Sequence, residues 1–582
     1  MFNPENPLIV QSDRTILLEI DNAKAEICRD KLSIFCDLVK SPEHIHTYRM
    51  SPLSLWNARA AGMMAEEMES VLTEFAKYEV PGNVIADLRD YVGRFGRLKL
   101  IREGNSLILH SEDPVLMIEI LHNKAIKKFV LREIDTTSFE ISLLERGRIK
   151  QALIKIGFPV EDIAGYTVGD TLEFRLRDFT KVAGDLFHVR DYQRLAADAF
   201  WAGGDVRGGS GVLVLPCGAG KTIIGIETMA RAQMHTLIIA TGITAARQWR
   251  SELLDKTTLT EDMIGEYSGD RKEIRPVTIA TYQVLTSRKS KKIESANKDM
   301  IAEELGEAEG FVHLGLFNNY NWGLILYDEV HLLPAPVFRV TAEIQAKRRL
   351  GLTATLVRED GREEDVFSLI GPKKFDAPWK ELEKQGWIAE AVCTEIRISM
   401  QHNIRMEYAV AEKRDKYRIA STNPAKDDVV WALVRKHRTD NILVIGQYLD
   451  QLDRLALALD APLITGKTPQ KDREKLYAQF RTGEVKRLVV SKVANFSIDL
   501  PDANVAIQVS GTFGSRQEEA QRLGRILRPK TDGSIAHFYS LVSRDTNDQE
   551  FAVHRQLFLT EQGYRYEIVD SEEALTWGNL LE

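Results

Sequence analysis

Short apolar runs recur along the middle and end of the chain, separated by charged stretches of helical length. The first set is Val212–Leu215 (VLVL), His235–Ala240 (HTLIIA), Pro276–Thr281 (PVTIAT), Trp322–Glu329 (WGLILYDE) and Arg348–Thr355 (RRLGLTAT). Apolar runs without alternation suit strands covered on both faces of a parallel sheet. Helical segments between most of them complete a βαβ pattern. The pattern lapses over residues 357–426, which are charged and irregular. It resumes with Asn441–Gly446 (NILVIG), Pro462–Gly466 (PLITG), Arg487–Lys492 (RLVVSK), Val505–Ser510 (VAIQVS) and His537–Val542 (HFYSLV). Two α/β lobes in tandem are therefore expected, over 186–380 and 425–582. Open parallel sheets bind ligands at the carboxyl ends of their strands, so a cleft between the lobes is the expected site.

The N-terminal part reads differently. Ser51–Gly62, Met64–Tyr78 and Pro81–Gly96 each have helical character, and Ser51-Pro52 is a good N-cap and first-turn pair. Then RLKLI and LILHS flank REGNS, a hairpin signal with a Gly-Asn turn. Three helices followed by a hairpin is winged-helix order. This predicts an α+β N-terminal domain over 1–137, of a type that binds DNA or protein or serves as scaffold.

Bulk properties narrow the classes. A chain of 582 residues should hold several domains. No apolar run approaches the roughly 20 residues of a membrane span, and the N-terminus has neither a basic segment nor an apolar segment of signal-peptide type. Neither a membrane association nor export is expected. The four cysteines, Cys28, Cys36, Cys217 and Cys393, form no C-x-x-C. That argues against structural zinc and iron–sulfur clusters and suits a reducing cytoplasm. The net charge of −8 disfavours a general affinity for nucleic acid, but a local groove decides phosphate binding. Basic clusters lie at 287–292, 346–350 and 412–418; taken singly, each is more often a solvated face.

The chemistry concentrates in GVLVLPCGAGKTIIGIETMARA, Gly211–Ala232. A strand, a glycine turn and a helix N-terminus aim backbone N–H groups at an anion. Gly218 and Gly220 would shape the turn, Lys221 would reach the β- and γ-phosphates, and the Thr222 hydroxyl would hold Mg²⁺. Leu215 stands where the full G-x-x-x-x-G-K-[ST] pattern has glycine. A second Gly-Lys-Thr, at 466–468, lacks further glycines and runs into Pro469, which reads as a surface loop. Asp328-Glu329 closes an apolar strand. Adjacent carboxylates there are costly to bury without a cation. In a phosphate-loop fold Asp328 would hold Mg²⁺ and Glu329 would polarise the attacking water; the alternative is an acidic strand-end turn. In EEAQRLGRILRPK, Arg522, Arg525 and Arg528 can share a helix face, beside Gln521. Arginines of the second lobe could reach the γ-phosphate.

Taken in order, DEVH, GLTATLVRED and QRLGRILR resemble superfamily 2 helicases, and more narrowly the XPB (xeroderma pigmentosum group B) family. LPCGAGKT, IGPKKF, SKVANFSIDLPDANV, FYSLVSRDT and the N-terminal HIHTYRMSPLSLWNA are similar to that family too. The resemblance spans nearly the whole chain, without the long charged extensions of eukaryotic members, as in a compact bacterial or archaeal one. It implies two RecA-like lobes and an ATP- and Mg²⁺-dependent 3′-5′ DNA helicase or translocase acting in repair. Its substrate would be forked or partly single-stranded duplex, and a nuclease or repair protein is a possible partner. It implies that Gln521, Arg525 and Arg528 act in catalysis with Lys221, Asp328 and Glu329. Arg190, Tyr192 and Gln193 match the adenine-reading segment, and Asp499 a ribose- and interface-facing acid. Gln248, Trp249, Thr281 and Tyr282 lie in DNA-side motifs; Trp249 alone would pass for core. Thr353 and Thr355 match the motif that couples hydrolysis to lobe movement. Arg358-Glu359-Asp360 matches the family's R-E-D triplet. Residues 400–424, with Lys413, Arg414 and Lys416, occupy the place of a thumb-like insertion. Residues 138–185 occupy the place of a damage-recognition-like domain. A duplex translocase without processive unwinding is the alternative activity.

Overall fold

The computed structural model describes residues 2–40, 44–104, 106–142, 145–205, 208–216, 218–287, 320–333, 347–354, 363–376, 390–491, 503–511, 535–561 and 564–577, with His313, Leu316, Val337 and Leu382. The chain divides into two compact units, broadly residues 1–377 and 378–582.

The first unit contains a seven-stranded sheet. Its spatial order is Ile264–Tyr267, Val277–Thr281, Thr236–Ala240, Leu324–Asp328, Arg348–Thr353, Ser210–Val214 and Lys373–Asp376. Every adjacent pair is parallel. The second unit contains another seven-stranded sheet, ordered Leu463–Ile464, Arg487–Ser491, Ile442–Gly446, Val505–Gln508, Ala536–Ser543, Ala391–Ile398 and Arg565–Asp570. All its pairings are parallel as well. Ranked by chain order, both sheets read third, fourth, second, fifth, sixth, first, seventh across space. The two lobes thus share one topology, that of a RecA-like sheet repeated in tandem. Their inner strands are buried along their whole length, as in TLIIA at 236–240 and ILVIG at 442–446. This is why they read as unbroken apolar runs.

The apparently irregular stretch at 357–426 hides two of these strands. Lys373–Asp376 is an edge strand with a polar sequence, so it carries no apolar run. Ala391–Ile398 (AVCTEIRI) is a central strand that pairs on both sides and belongs to the second sheet, so that lobe begins well before residue 425. Its Glu395 is buried, and its carboxylate accepts hydrogen bonds from Arg397 Nε at 2.9 Å and from the Tyr566 hydroxyl at 2.6 Å. A charged residue inside a strand is tolerated when its partners are at hand.

The N-terminal region also departs from expectation. It begins with antiparallel strands Leu8–Val10, Thr15–Glu19 and Ile45–Arg49. The expected helices follow at Pro52–Ala60, Ala65–Phe75 and Gly82–Arg94. Ser51 caps the first of them, its hydroxyl accepting from the Ser54 N–H at 3.1 Å. The hairpin Leu98–Glu103/Ser106–His110 forms as read. It is not the wing of a three-helix domain, however. Ser106–His110 pairs onward with Ser138–Ile141, and Leu98–Glu103 pairs with Val160–Asp162. The result is a five-stranded sheet that runs across position 137. Its partner strands lie tens of residues downstream, where local alternation gives no signal.

This five-stranded layer docks on the first lobe. Helix Arg146–Lys155 packs on helix Glu363–Leu369, with Gln151 Nε2 donating to Asp365 Oδ1 at 2.8 Å. Trp56, Ile154 and Phe367 form a shared apolar cluster. Among the described residues no helix is long and apolar enough to cross a membrane.

Candidate active site

Strand Ser210–Val214 lies between Arg348–Thr353 and Lys373–Asp376. Pairing continues one residue further, with the Leu215 N–H donating to the Thr353 carbonyl at 2.9 Å. The chain then turns. Gly218 and Gly220 take φ of 82° and 76°, left-handed values that glycine adopts without penalty. Gly220 is the N-cap of helix Lys221–Ala232, so the helix starts directly at the turn, with Lys221 and Thr222 in its first turn. A helix N-terminus presents unpaired N–H groups and positive dipole, the elements of an anion site.

Gln193 lines the same place from another helix, Asp191–Trp201. It is 3% exposed. Its side-chain oxygen accepts from the Arg190 N–H at 3.1 Å, and its Nε2 lies 3.4 Å from the Tyr192 hydroxyl. A Cβ on Gly220 would sit 2.5 Å from Gln193 Nε2. Arg190 Nη1 in turn donates to the Tyr192 hydroxyl at 3.3 Å. The segment at 190–193 is thus packed directly against the glycine turn.

The acidic pair closes the site. Strand Leu324–Asp328 ends beside Arg348–Thr353, and Glu329 adopts a left-handed φ of 51°. That conformation is uncommon for a non-glycine residue and marks a site where surroundings dictate the backbone. Lys221 Nζ lies 3.2 Å from Glu329 Oε1. Glu329 Oε2 is buried and accepts no hydrogen bond from the described residues, while His331 Nδ1 lies 3.5 Å away. Burial opposes ionisation of Glu329, but Lys221 and His331 outweigh it and hold this carboxyl below its ordinary value. Asp328 goes the other way: burial and the adjacent Glu329 push it up to about 6, against the pull of Trp249 and Lys221. His331 Nδ1 is 2.6 Å from Thr353 Oγ1. Thr353 therefore touches both the phosphate-loop strand, through its carbonyl, and the acidic segment, through its hydroxyl.

The structure brings together Arg190, Gln193, Gly218, Gly220, Lys221, Thr222, Asp328 and Glu329. An ATP·Mg²⁺ group fits this set: Gly220 keeps open a cradle that a Cβ would close, and Glu329 Oε2 is a buried oxygen with no hydrogen-bond partner among the described residues. Lys221 and the helix N-terminus could neutralise phosphates; Thr222 and Asp328 could hold the cation. Among the described residues no cluster of three His, Cys, Asp or Glu side chains could hold a metal ion.

Other expected residues fall elsewhere. Trp249 is 2% exposed, with its indole N–H donating to Asp328 Oδ2 at 3.0 Å; it is a core residue of this site, not a surface that nucleic acid touches. Gln248, next to it, is exposed. Thr281 is buried at the end of its strand, its hydroxyl accepting from the Val284 N–H at 3.4 Å. The residues at 400–424 form helices His402–Val410 and Lys413–Ser421. Lys416 Nζ sits 5.3 Å over the Tyr408 ring, and Tyr417 anchors the second helix through its hydroxyl, 2.7 Å from the Gly511 carbonyl. Lys467 is exposed, and the Gly466 carbonyl accepts from Arg473 Nη2 at 2.8 Å, an ordinary turn. Cys217, Thr355, Arg358, Glu359, Asp360, Asp499, Gln521, Arg522, Arg525, Arg528 and the side chains of Lys413 and Arg414 lie outside the described residues. His331 escaped the sequence-based site, although it stands two residues after Glu329 in the same motif.

Comparison with known proteins fits this geometry. Residues 382–579 match the family described as ERCC3/RAD25/XPB C-terminal helicase. The DNA 3′-5′ helicase XPB of Mycobacterium tuberculosis is 55% identical over 572 residues, covering 98% of this chain and 99% of that one. The chain belongs to the XPB helicase family. The XPB of Kineococcus radiotolerans, also a DNA 3′-5′ helicase, is 54% identical over 98% of this chain and 97% of its own. A eukaryotic XPB, the transcription and DNA repair factor IIH helicase/translocase subunit of Antonospora locustae, is 34% identical over 98% and 82%. Two further segments match families outside the XPB name: residues 186–358 the type III restriction enzyme res subunit, and residues 8–135 a helicase conserved C-terminal domain.

Proposed function

We propose that this XPB-family helicase couples ATP hydrolysis, with Mg²⁺, to 3′-5′ movement on DNA and to opening of forked or partly single-stranded duplex in repair. The observation that carries the reading is the Lys221–Glu329 contact at the carboxyl ends of the first sheet, with Glu329 Oε2 left to accept a proton. When bound, ATP·Mg²⁺ supplies the electrophilic γ-phosphorus and the cation that screens its oxygens. Gly220 and the helix N-terminus receive the phosphates, and Lys221 neutralises them. Glu329 is kept ionised by Lys221 and so can take a proton from an attacking water. Gln193, beside the glycine turn, selects the base together with Arg190.

The remaining roles rest on the family resemblance. Gln521, Arg525 and Arg528 would stabilise charge on the γ-phosphate, and Asp499 would face the ribose. Gln248, exposed on its helix, would meet the DNA backbone, whereas the Thr281 side chain is buried and would act through its strand end. Lys413, Arg414 and Lys416 would contact phosphates from the helix pair at 402–421. Arg358, Glu359 and Asp360 would act in strand separation, and residues 138–185 would take the damage-recognition role. A nuclease or other repair protein is the partner this role calls for, and a cytoplasmic setting suits it.

ATP turnover measured without nucleic acid, with single-stranded DNA, with forked DNA and with matched RNA tests the reading. Stimulation by DNA well above RNA supports it; equal stimulation by both, or none, overturns the DNA assignment. Strand displacement beside triplex displacement on one substrate separates unwinding from duplex translocation.

A further inference from the structure

Two elements that carry expected DNA-facing residues converge on one residue, Asp328. Helix Ile243–Lys256 exposes Gln248 and buries the next residue, Trp249. Strand Val277–Thr281 ends in Thr281 and is followed at once by Tyr282, also buried. The Trp249 indole N–H donates to Asp328 Oδ2 at 3.0 Å, and the Tyr282 hydroxyl donates to the Asp328 carbonyl at 3.1 Å. One element thus grips the side chain of Asp328 and the other grips its backbone. The indole has little freedom to turn away. A Cβ on Gly225 would lie 2.5 Å from Trp249 Cη2 and 2.8 Å from Leu326 Cδ1. The phosphate-loop helix therefore carries glycine where the ring crosses it, and the ring is wedged over that helix and the strand that ends in Asp328.

We propose that Trp249 and Tyr282 are positioning residues for Asp328, and that through them the elements bearing Gln248 and Thr281 set how well the site holds Mg²⁺ when DNA is bound. The proposal rests on the reading of Asp328 as the Mg²⁺ ligand. The physical argument is simple. A carboxylate at a strand end can rotate about its last torsion. An N–H donor on Oδ2 fixes that rotation and leaves Oδ1 to face the cation or its water. Groups that orient a metal ligand typically change metal affinity about 10- to 100-fold when removed. Any shift of helix Ile243–Lys256 or of the turn at Tyr282 is passed to Asp328 directly, because each is hydrogen-bonded to it.

The test is a titration of the full chain with a fluorescent ADP analogue, run against Mg²⁺ concentration, with and without single-stranded DNA, and once in chelator. Trp249→Phe, which removes the N–H, should raise the Mg²⁺ half-saturation about tenfold and leave nucleotide affinity in chelator within about twofold. Tyr282→Phe, a smaller change of shape, should shift it in the same direction by less. Gly225→Ala keeps the indole but displaces it, and should resemble Trp249→Phe. Leu253→Ala, a buried position on the same helix, should lower thermal stability without moving the Mg²⁺ requirement. DNA should lower the requirement in the wild type and do so much less in Trp249→Phe. If Trp249→Phe and Tyr282→Phe leave the half-saturation within twofold of wild type, or if Leu253→Ala shifts it equally, the positioning role is overturned. If DNA acts equally on wild type and Trp249→Phe, the link to DNA is overturned. A wild type whose nucleotide binding ignores Mg²⁺ would instead defeat the underlying assignment of Asp328.

Discussion

Gly220→Ala is a sharp perturbation because its cost has two separable parts. The residue sits at φ 76°, ψ 43°, where an L-residue pays roughly 1–2 kcal/mol for the left-handed conformation. The new Cβ would also meet Gln193 Nε2 at 2.5 Å. Gln193 must then move, although it is 3% exposed and its oxygen accepts from the Arg190 N–H at 3.1 Å. Losing that hydrogen bond costs about 1 kcal/mol. The sum, about 2–3 kcal/mol, falls on the conformation that receives phosphates. At 1.4 kcal/mol per tenfold, nucleotide affinity should drop about 30- to 140-fold. Gly483→Ala is a matched control: φ is 75°, and none of the described residues lies within 4 Å of the added Cβ beyond its chain neighbours. It should lose roughly 1–2 kcal/mol of stability by the same strain and leave nucleotide binding unchanged. The assay is a fluorescence titration with labelled ADP and Mg²⁺, with circular dichroism to confirm folding. A folded Gly220→Ala protein that binds within threefold of wild type would refute the close packing of Gln193 on the glycine turn.

Glu329→Gln should bind ATP yet turn over at least about 100-fold more slowly, since general-base assistance is worth roughly 10²–10⁴; Lys221→Ala should lose both, whereas Lys467→Ala in the surface turn should hydrolyse ATP within a few-fold of wild type. Lys426 and Asp548 are 0% and 1% exposed and 2.8 Å apart, so Lys426→Met should cost about 3–5 kcal/mol in urea unfolding by stranding the carboxylate. Adding Asp548→Leu should recover most of that loss; failure to recover it would mean the pair is not the source of the cost. Burial pushes the Lys150 ammonium down to about 8 against the pull of Asp162, below the roughly 10.4 of an unfolded lysine. Between those values the folded chain has already released a proton that the unfolded chain still holds, so stability from this group rises with pH. Wild type should therefore gain stability relative to Lys150→Met as pH rises from about 8 to about 10.4, and parallel unfolding midpoints across that window would refute the shift.

Local chemistry by itself determined the parts of this protein whose signals lie within one turn or strand. The glycine turn before Lys221 was legible because left-handed backbone and a helix start are properties of adjacent residues. Asp328-Glu329 was legible as a candidate because adjacent carboxylates at the end of LILYD are costly to bury without a cation. The inner strands of both lobes were legible because a strand buried on both faces leaves no polar position. Tertiary structure alone decided what depends on partners distant in the chain. Strand Ala391–Ile398 reads as charged because Glu395 is satisfied by Tyr566, far downstream. The hairpin at 98–110 became the middle of a five-stranded sheet because Ser138–Ile141 and Val160–Asp162 supply its edges. Trp249 has the composition of a core residue, and only folding carries its N–H to Asp328. In each case a buried polar group is affordable only with a partner already in place. A linear pattern records the burial of apolar groups directly, but it does not record which remote residue satisfies a polar one.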